Sequence, residues 1–354
     1  MMVLFFYNVV NSTDNGGQIG IQRNLDMCCN VFGKENVIIF KMYQPSRWRL
    51  LYNLLSLSGY YSSLQNDREF RRLCMNYKFD IAFINGALSF NYLEPLKKTG
   101  CRIHTYFHNV DYYYYLGKYQ FSKNVADWMV AKYIFYCERK TTFYSDVTIA
   151  LNSRDAEGVK KLYNRDVDLI LPIGMEDEGE MRCDVNQVKS HPYCLFVGSD
   201  FYANIEGVDW FIKNVAPFIK MDFWVVGTCC SSFEQRKLPN NVFLKGRVES
   251  LLPFYKNASC VVSPIFSGSG MKTKTIEALK YGKTIFGTSE AFEGIEVDYS
   301  SVGALCNSTQ EFIDAINVAD IKYFNEYSYH IFHKLYSYSA IFQKYKLFID
   351  KLLK

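Results

Sequence analysis

The stretch best suited to chemistry is a glycine-rich turn between a predicted strand, residues 258–264, and a predicted helix, residues 271–281. Glycines let the backbone approach a ligand closely, and the amide groups that open a helix, together with its dipole, favour a phosphate group. Phosphate binding is therefore predicted at this turn. The residues predicted to contact the phosphate are Gly268, Ser269, Gly270 and Met271.

Two charged side chains follow the glycines. Lys272 lies in the first turn of the predicted helix and adds a cation. Glu277 lies about two turns further on, on the same predicted face as Gly270, and its carboxylate can accept hydrogen bonds from hydroxyl groups. The alternative is an ordinary turn with a solvated pair of lysines, Lys272 and Lys274.

A second candidate cluster lies in the first half of the chain. His108, Asn109 and Asp111 end the fourth predicted strand, and open α/β sheets bind ligands at the carboxyl ends of their strands. A purely structural histidine is the alternative at this position. Gly16 and Gly17 end a polar loop after the first predicted strand, where an ordinary turn is again the alternative.

The elements that must position these residues are short apolar runs alternating with longer helical patterns, which is typical of an α/β protein. With 354 residues the chain is long enough for about two domains. The predicted strands are 3–10, 36–41, 79–85, 102–108 and 146–150 in the first half, and 193–198, 223–227, 242–246, 258–264 and 283–288 in the second.

Composition limits the partners and the compartment. The net charge of +4 is too small to indicate a nucleic-acid partner, and no Cys/His cluster has the spacing of zinc ligands. The 11 cysteines are scattered, as expected for reduced thiols in the cytoplasm. No run reaches the ~18 apolar residues of a membrane span, and the N-terminal residues lack the pattern of a signal peptide.

One segment suggests contact with a membrane surface. Residues 45–64 combine basic and aromatic side chains with several leucines, the composition of a helix that lies on a membrane or on a lipid-linked acceptor. The alternative is a helix packed on the sheet.

Several motifs together resemble one family of enzymes. The run 264–282 contains the glycines, a basic residue and a Glu-Ala pair, and Gly294-Ile295 follows it; this order resembles the donor site of retaining, family 4-like (group 1) glycosyltransferases. Residues 196–217, FVGSDFYANIEGVDWFIKNVAP, resemble the start of the nucleotide-sugar domain of that family. Residues 145–163, SDVTIALNSRDAEGVKKLY, resemble the end of its first domain. The likeness covers nearly the whole chain and is most specific in residues 193–294.

The resemblance implies a GT-B fold of the α/β class, in which two Rossmann-like domains face each other across a cleft and the C-terminal helix crosses back to the first domain. His-Asn followed by an acidic residue resembles the bacterial surface-polysaccharide type. The implied parts are an acceptor-binding domain, 1–175, a linker, 176–191, a nucleotide-sugar-binding domain, 192–322, and helices returning to the first domain, 323–354.

The resemblance also implies roles for individual residues. The implied donor-binding residues are Gly16, Gly17, Gly198, Ser199, Arg247, Val248, Gly268, Ser269, Gly270, Met271, Lys272 and Glu277. The implied acceptor-binding residues are Asn109 and Asp111, and the implied catalytic residues are His108, Lys272 and Glu277. In the family the nucleobase contacts backbone groups at the position of Arg247 and Val248.

The sequence departs from the family pattern at two places. Many members carry a glutamate eight positions before the one at Glu277, but here Ser269 stands there. Many also carry two cations in the first loop of the second domain, where residues 200–206 contain none. Lys272 and Arg247, with Lys274 as a further candidate, would then supply the positive charge. A related subgroup with Gly-Ser-Gly-Met-Lys shares both departures.

The resulting prediction is a hexosyltransferase of surface-polysaccharide biosynthesis. It would move a hexose, with retention, from a nucleotide diphosphate sugar to a hydroxyl group of a glycan or lipid-linked glycan, without a cofactor or metal. It would be cytoplasmic, with weak contact to the inner face of the membrane. The alternatives are a sugar-nucleotide epimerase or phosphorylase on the same fold, and an inactive sugar-nucleotide-binding scaffold subunit.

Overall fold

The computed structural model describes residues 1–9, 16–177, 191–268, 270–318 and 323–352, with backbone only for residues 16–19. The chain forms two compact units. The first unit contains Met1–Ile173 and Ile341–Lys354, and the second contains Gly174–Ala340. Each unit is built on one six-stranded parallel sheet flanked by helices, so the predicted pair of Rossmann-like domains is confirmed.

The sheet of the first unit has the strand order β2-β1-β3-β4-β5-β6. Its strands are β1 (Val3–Val9), β2 (Val37–Tyr43), β3 (Ile81–Asn85), β4 (Arg102–Phe107), β5 (Val147–Ala150) and β6 (Leu169–Ile170). Its helices are α1 (Gly16–Phe32), α2 (Arg47–Leu55), α3 (Leu64–Asn76), α4 (Leu93–Lys98), α5 (Asp111–Ser122), α6 (Val125–Tyr144) and α7 (Ser153–Tyr163). The central strands are buried on both faces, which explains why they appear in the sequence as continuous apolar runs.

The sheet of the second unit has the order β12-β11-β10-β7-β8-β9. Its strands are β7 (Tyr193–Val197), β8 (Asp222–Val226), β9 (Val242–Gly246), β10 (Cys260–Ser263), β11 (Ile285–Gly287) and β12 (Gly303–Leu305). Its helices are α8 (Tyr202–Asn214), α9 (Leu252–Asn257), α10 (Thr273–Lys280), α11 (Tyr299–Val302), α12 (Thr309–Val318) and α13 (Glu326–Ile331). A core of buried side chains from α8, β7, β8, β10 and α12 fills the space between sheet and helices.

The last helix, α14 (Tyr338–Leu352), returns the chain to the first unit, as the fold predicts. Its Tyr345 is fully buried, packs edge-on against Phe83 with ring centroids 5.9 Å apart, and its hydroxyl lies 3.1 Å from Nδ1 of His104. The segment from residue 323 to 340, which the sequence grouped with the returning helices, lies in the second unit instead. There, backbone hydrogen bonds join Met175 to Tyr336 and Tyr338. The predicted linker, residues 176–191, falls mostly outside the described residues.

Candidate functional site

In the second unit the order in which strands are added reverses between β7 and β10. From β7 the chain proceeds through β8 to β9 on one side, and it then returns to β10, β11 and β12 on the other. In open parallel sheets such a switch point, at the carboxyl ends of the strands, is where ligands bind. The two loops that leave this point are the one after β7, beginning at Gly198 and Ser199, and the one after β10, residues 264–272. Both were predicted from the sequence to contact the donor.

The helix that follows the glycine-rich turn begins later than predicted. α10 starts at Thr273, and Lys272 is its N-cap with extended backbone angles (φ −87°, ψ 102°). The sequence predicts Lys272 in the first turn of the helix. In the structure Lys272 precedes that turn. The reason is local, because Gly270 adopts φ +67°, which is not a helical conformation. The turn therefore continues through Met271 and Lys272, two residues beyond the predicted start of the helix. Ser269 lies outside the described residues, and Met271 is buried.

The Lys272 side chain is held inside the turn. Its Nζ donates to the carbonyl oxygen of Gly270 at 2.9 Å and forms an ion pair with Oε1 of Glu290 at 2.7 Å. Only 11% of the side chain is exposed. Lys272 thus fixes the conformation of the loop that carries Gly268 and Gly270, and its charge is already matched by a carboxylate.

Lys274 connects the two loops at the switch point. Its Nζ donates to Oδ1 of Asn204 in α8, and Nδ2 of Asn204 donates to the carbonyl oxygen of Ser199 at 2.9 Å. The ammonium also lies 4.3 Å from the centre of the Phe196 ring. The loop after β7 has no cation of its own, so Lys274 is the cation placed beside Ser199.

Burial controls the charge of Lys274. The pKa of its ammonium is lowered from 10.5 to about 7, chiefly by desolvation and to a smaller extent by the neighbouring Lys272, whereas the thiol of Cys229 and the carboxylate of Glu277 act in the opposite direction. No carboxylate forms a close ion pair with Lys274 among the residues that the structure describes. An anion bound here would stabilise the charged ammonium.

The backbone of α8 packs directly against the backbone of the glycine-rich turn. A Cβ atom on Gly207 would lie 2.0 Å from the carbonyl oxygen of Pro264, so only glycine fits at this point of the helix. Ser267 Oγ also donates to Oε2 of Glu206 at 2.7 Å. Asn204 is positioned by this contact, because it lies one turn before Gly207 on the same helix.

Glu277 lies in α10, one turn beyond Lys274. Its Oε2 accepts a hydrogen bond of 3.0 Å from the hydroxyl of Tyr255, which is fully buried and stacks on Tyr281. Glu277 is partly exposed, and a carboxylate has about four acceptor sites. Tyr255 therefore orients a carboxylate that can also accept hydrogen bonds from a ligand.

Arg247 and Val248 directly follow β9, two strands from the switch point. Arg247 is exposed and Val248 is partly buried. The preceding Gly246 accepts a backbone hydrogen bond from Gly227 at 2.7 Å, and Gly198 donates to Val226 at 2.9 Å. These hydrogen bonds join the ends of β7, β8 and β9 beyond the register shift at Val225 and Val226, so the Arg247 backbone lies on the same sheet edge as Gly198.

In the first unit the switch point lies between β1 and β3. Gly16 and Gly17 are the first two residues of α1, which follows β1, while residues 10–15 of the connecting loop lie outside the described residues. The predicted polar loop therefore ends earlier than expected, because both glycines are helical.

His108 follows β4 and lies next to this switch point. Its Nε2 is 3.3 Å from Oδ1 of Asn85 at the end of β3, and Asn24 donates to the same oxygen at 2.8 Å. Since that oxygen accepts, the ring proton is assigned to Nε2. Burial, with a smaller contribution from Arg23, lowers the pKa of His108 to about 4, so the imidazole is neutral at pH 7. The ring also packs closely on α1, where a Cβ atom added to Gly20 would lie 3.3 Å from Cε1 of His108.

Asn109 and Asp111 lead from β4 into α5. The first two amides of α5, those of Asp111 and Tyr112, donate to the two oxygens of Glu138 at 2.9 and 3.0 Å. The hydroxyl of Tyr163 donates to Glu138 at 2.5 Å. Burial raises the pKa of both Asp111 and Glu138, and the pKa of Glu138 is raised further by repulsion from Asp111. Glu138 thus caps α5 from α6 and fixes the segment after His108.

Sequence reasoning missed several of these partners. Asn204, Asn85, Glu138 and Glu290 were not predicted as site residues, and Lys274 was only a secondary candidate. The one available signal was that Asn204 lies in the motif 196–217. The described residues contain no group of three or more His, Cys, Asp or Glu side chains placed to hold a metal ion.

Comparison with known proteins agrees with this architecture. Residues 191–319 match the family model described as glycosyl transferases group 1. The chain is similar to solved structures over its whole length: HepE from Anabaena in complex with UDP (TM-score 0.71, 11% identity, 99% of this chain and 100% of that chain) and sucrose-phosphate synthase from Thermosynechococcus elongatus (0.70, 14%, 100% and 99%).

A third similar structure is the lipopolysaccharide outer core galactosyltransferase WaaB in its apo form (TM-score 0.65, 14% identity, 99% of this chain and 100% of that chain). None of the curated proteins compared with the chain matches it. The chain thus has the GT-B fold of two Rossmann-like domains, and its residues 191–319 carry the sequence pattern of the group 1 glycosyl transferases.

Proposed function

We propose that the protein is a glycosyltransferase that moves a hexose from a nucleotide diphosphate sugar to a hydroxyl group of a glycan or lipid-linked glycan. The observation that carries this proposal is the arrangement at the switch point of the second unit. Lys274, tied to the loop of Ser199 through Asn204, and Glu277, oriented by Tyr255, lie on one short helix in the region that matches the family.

The donor half of the proposal follows from charge. A nucleotide diphosphate carries negative charge on its phosphates, and more develops on the leaving group as the glycosidic bond breaks. Preorganised cations and amide groups stabilise that charge best in a site that excludes water. Lys274 and the amides that open α10 would contact the diphosphate, and Glu277 would accept hydrogen bonds from ribose hydroxyls. HepE, a structural neighbour, was solved with UDP, which supports a nucleoside diphosphate as the ligand class.

The acceptor half rests on the first unit. His108 is neutral and held by Asn85, and it would contact the transferred sugar or the acceptor hydroxyl as a hydrogen-bonding group. Asn109 and Asp111, fixed by Glu138, would bind further hydroxyls of the acceptor. A retaining reaction, in which the departing diphosphate takes the acceptor proton, fits a site whose histidine is a weak base. No metal or cofactor has a role in this proposal.

Weak attachment to a membrane surface is part of the proposal. α2 buries only Asn53, and Trp48, Leu51, Tyr52 and Leu55 form an exposed apolar stripe at helical spacing. Arg47 is exposed beside it. A helix with such a face lies in the interfacial region of a membrane, with basic residues near anionic headgroups. No described helix combines the length and apolar character of a membrane span. The proposed location is the cytoplasmic face of the membrane, in surface-polysaccharide biosynthesis.

A screen of nucleotide sugars and nucleoside diphosphates by thermal shift tests the donor half, because a ligand that binds only the folded state raises the melting temperature. The expected result is stabilisation by one nucleotide series, followed by transfer when a glycan acceptor is added. Turnover of the donor without an acceptor would instead indicate an epimerase or phosphorylase. Binding of a nucleotide sugar that is not turned over with any of the acceptors added would indicate a scaffold subunit. The absence of nucleotide binding would refute the proposal.

A further inference from the structure

A cavity of about 760 Å³ lies in the first unit, between α3 and α4. We call it the α3–α4 cavity. Its volume is within the usual range of about 300–1,000 Å³ for small-molecule sites. His108, Asn109 and Asp111 do not line it, so it is separate from the candidate acceptor residues.

The inner surface of the cavity is apolar. Phe70, Phe79, Tyr92 and Leu96 line it and are buried, and Asp67 accepts a hydrogen bond from the Tyr92 hydroxyl at 2.8 Å. That bond occupies the polar tip of Tyr92, so the ring presents carbon atoms to the space. At the rim the lining residue Met75 is 83% exposed, and Tyr77 is exposed as well. An apolar floor that continues to an apolar rim suits a hydrocarbon chain.

Two cations stand at the rim with no partner among the residues that the structure describes. Arg71 and Lys78 line the cavity and are exposed, and neither forms a hydrogen bond or ion pair with any described residue. The contrast with the next residue is clear, because Arg72 forms two hydrogen bonds with Glu69 at 2.8 and 2.7 Å. The rim therefore has positive charge that an anionic group of a ligand can match.

The cavity adjoins α2 on the face of that helix that carries Arg49 and Asn53. Ser62 lines the cavity, and its carbonyl oxygen accepts from Nε of Arg49 at 3.1 Å and from Nδ2 of Asn53 at 2.9 Å. Both donors belong to α2, whose residue Trp48 is 83% exposed.

We propose that the α3–α4 cavity binds an anionic amphiphile with a single apolar chain. The chain lies over the buried floor, and the carboxylate or phosphate group contacts Arg71 and Lys78. This inference goes beyond the proposed transfer reaction, since it requires neither the donor nor the residues of the candidate active site.

The test uses isothermal titration of the full chain with dodecyl phosphate below its micelle concentration. One molecule is expected to bind per chain. The double variant Arg71→Glu with Lys78→Glu should bind at least tenfold more weakly, because attraction becomes repulsion at both contacts. The matched control, Lys161→Glu with Lys220→Glu, changes the net charge equally at lysines outside the cavity and should bind like the wild type.

Two further measurements test the apolar part. Lengthening the chain from hexyl to dodecyl phosphate should tighten binding by about fourfold for each methylene that becomes buried. Met75→Asp, which adds charge at the exposed rim and leaves both cations, should weaken binding of the dodecyl compound most. Farnesyl phosphate and dodecyl phosphate, which share a head group, then distinguish the sources: a preference for the former indicates the lipid of an acceptor, and equal affinity indicates general membrane lipid.

The following results would overturn the inference. They are equal affinity in the double variant and its charge-matched control, binding that does not depend on chain length, and inorganic phosphate binding as tightly as dodecyl phosphate. Binding of many molecules per chain would likewise show that the amphiphile only adsorbs to the surface, and would contradict specific binding in the α3–α4 cavity.

Discussion

Replacing Lys274 by methionine is the most direct test of the donor site. The substitution keeps most of the side-chain volume and removes the charge that Asn204 holds beside Ser199. If this ammonium contacts the diphosphate, its loss removes a charge-assisted hydrogen bond. At about 2 kcal/mol, within the usual range for such bonds, the dissociation constant of a nucleoside diphosphate should rise roughly thirtyfold.

The pH dependence gives a sharper criterion than the affinity alone. The pKa of Lys274 is lowered to about 7 in the free protein, and an anion favours the protonated form. Between pH 7 and pH 9 the wild type should therefore lose affinity as pH rises, by up to about tenfold per unit. The phosphates themselves are already ionised in this window, since their last pKa is about 6. Lys274→Met should bind with nearly constant affinity from pH 7 to 9.

The same lowered pKa also predicts how stability depends on pH: the affinity for the nucleotide falls as pH rises, whereas the free energy of unfolding rises. Unfolded lysine has a pKa of about 10.4, so between pH 7 and pH 10 the unfolded chain binds more protons at this position than the folded chain. The free energy of unfolding of the wild type should therefore gain a contribution that increases with pH in this window, and Lys274→Met should lack it. Lys274→Met does not bury an ionisable group at this position, so the variant is expected to stay folded. A lower affinity for the nucleotide would then report the loss of the ammonium and not a loss of fold.

The assay is isothermal titration with UDP, and with other nucleoside diphosphates if UDP does not bind, together with melting curves in the same buffers. Lys280→Met is the matched control, because Lys280 lies at the far end of the same helix. The reasoning is refuted if folded Lys274→Met binds the nucleotide as tightly as the wild type, or if the variant retains the pH dependence.

Three other outcomes are expected. Glu277→Ala should remain folded, with a melting temperature lowered by the unpaired hydroxyl of buried Tyr255, and should bind the donor at least tenfold more weakly, since a charge-assisted bond contributes about 1.5–3 kcal/mol; unchanged affinity by titration would mean that Glu277 serves only Tyr255. Lys272→Ala should lower both turnover and donor affinity, because it releases the loop of Gly268 and Gly270 from Glu290, and EDTA should leave the wild-type rate unchanged; unaltered steady-state kinetics, or a strict metal requirement, would contradict this. Trp48→Ser with Leu55→Ser should abolish flotation with anionic liposomes at low salt, and continued flotation would exclude α2 as the contact.

The sequence predicted the fold well because the strands of a parallel sheet are buried on both faces. Apolar runs such as 193–198 and 146–150 therefore appear close to their true bounds, β7 and β5. β12 was not predicted, because its three residues are only partly buried and begin with a glycine. The start of α10 was placed two residues too early, since the apolar spacing carries no information about the positive φ of Gly270.

The sequence indicated the loops of the candidate site, but it did not indicate the contacts between them. The sequence indicated the glycines of both switch-point loops, because a glycine allows close approach of the backbone to a ligand and is identified without knowledge of the fold. The bond between Lys274 and Asn204 joins residues 70 positions apart, and only the packing of α8 on the glycine-rich turn brings them together. The pairing of Lys272 with Glu290, 18 positions further along the chain, was likewise not predicted.

The return of the chain to the first unit has a consequence for the order of folding. Residues 174–340 are contiguous, so the second unit can complete its core as soon as they have left the ribosome. The first unit cannot, because Tyr345 fills the space against Phe83 and His104 and is synthesised 241 residues after His104. During synthesis the first unit must therefore keep part of its apolar interior open until a helix that follows the whole second unit has been made.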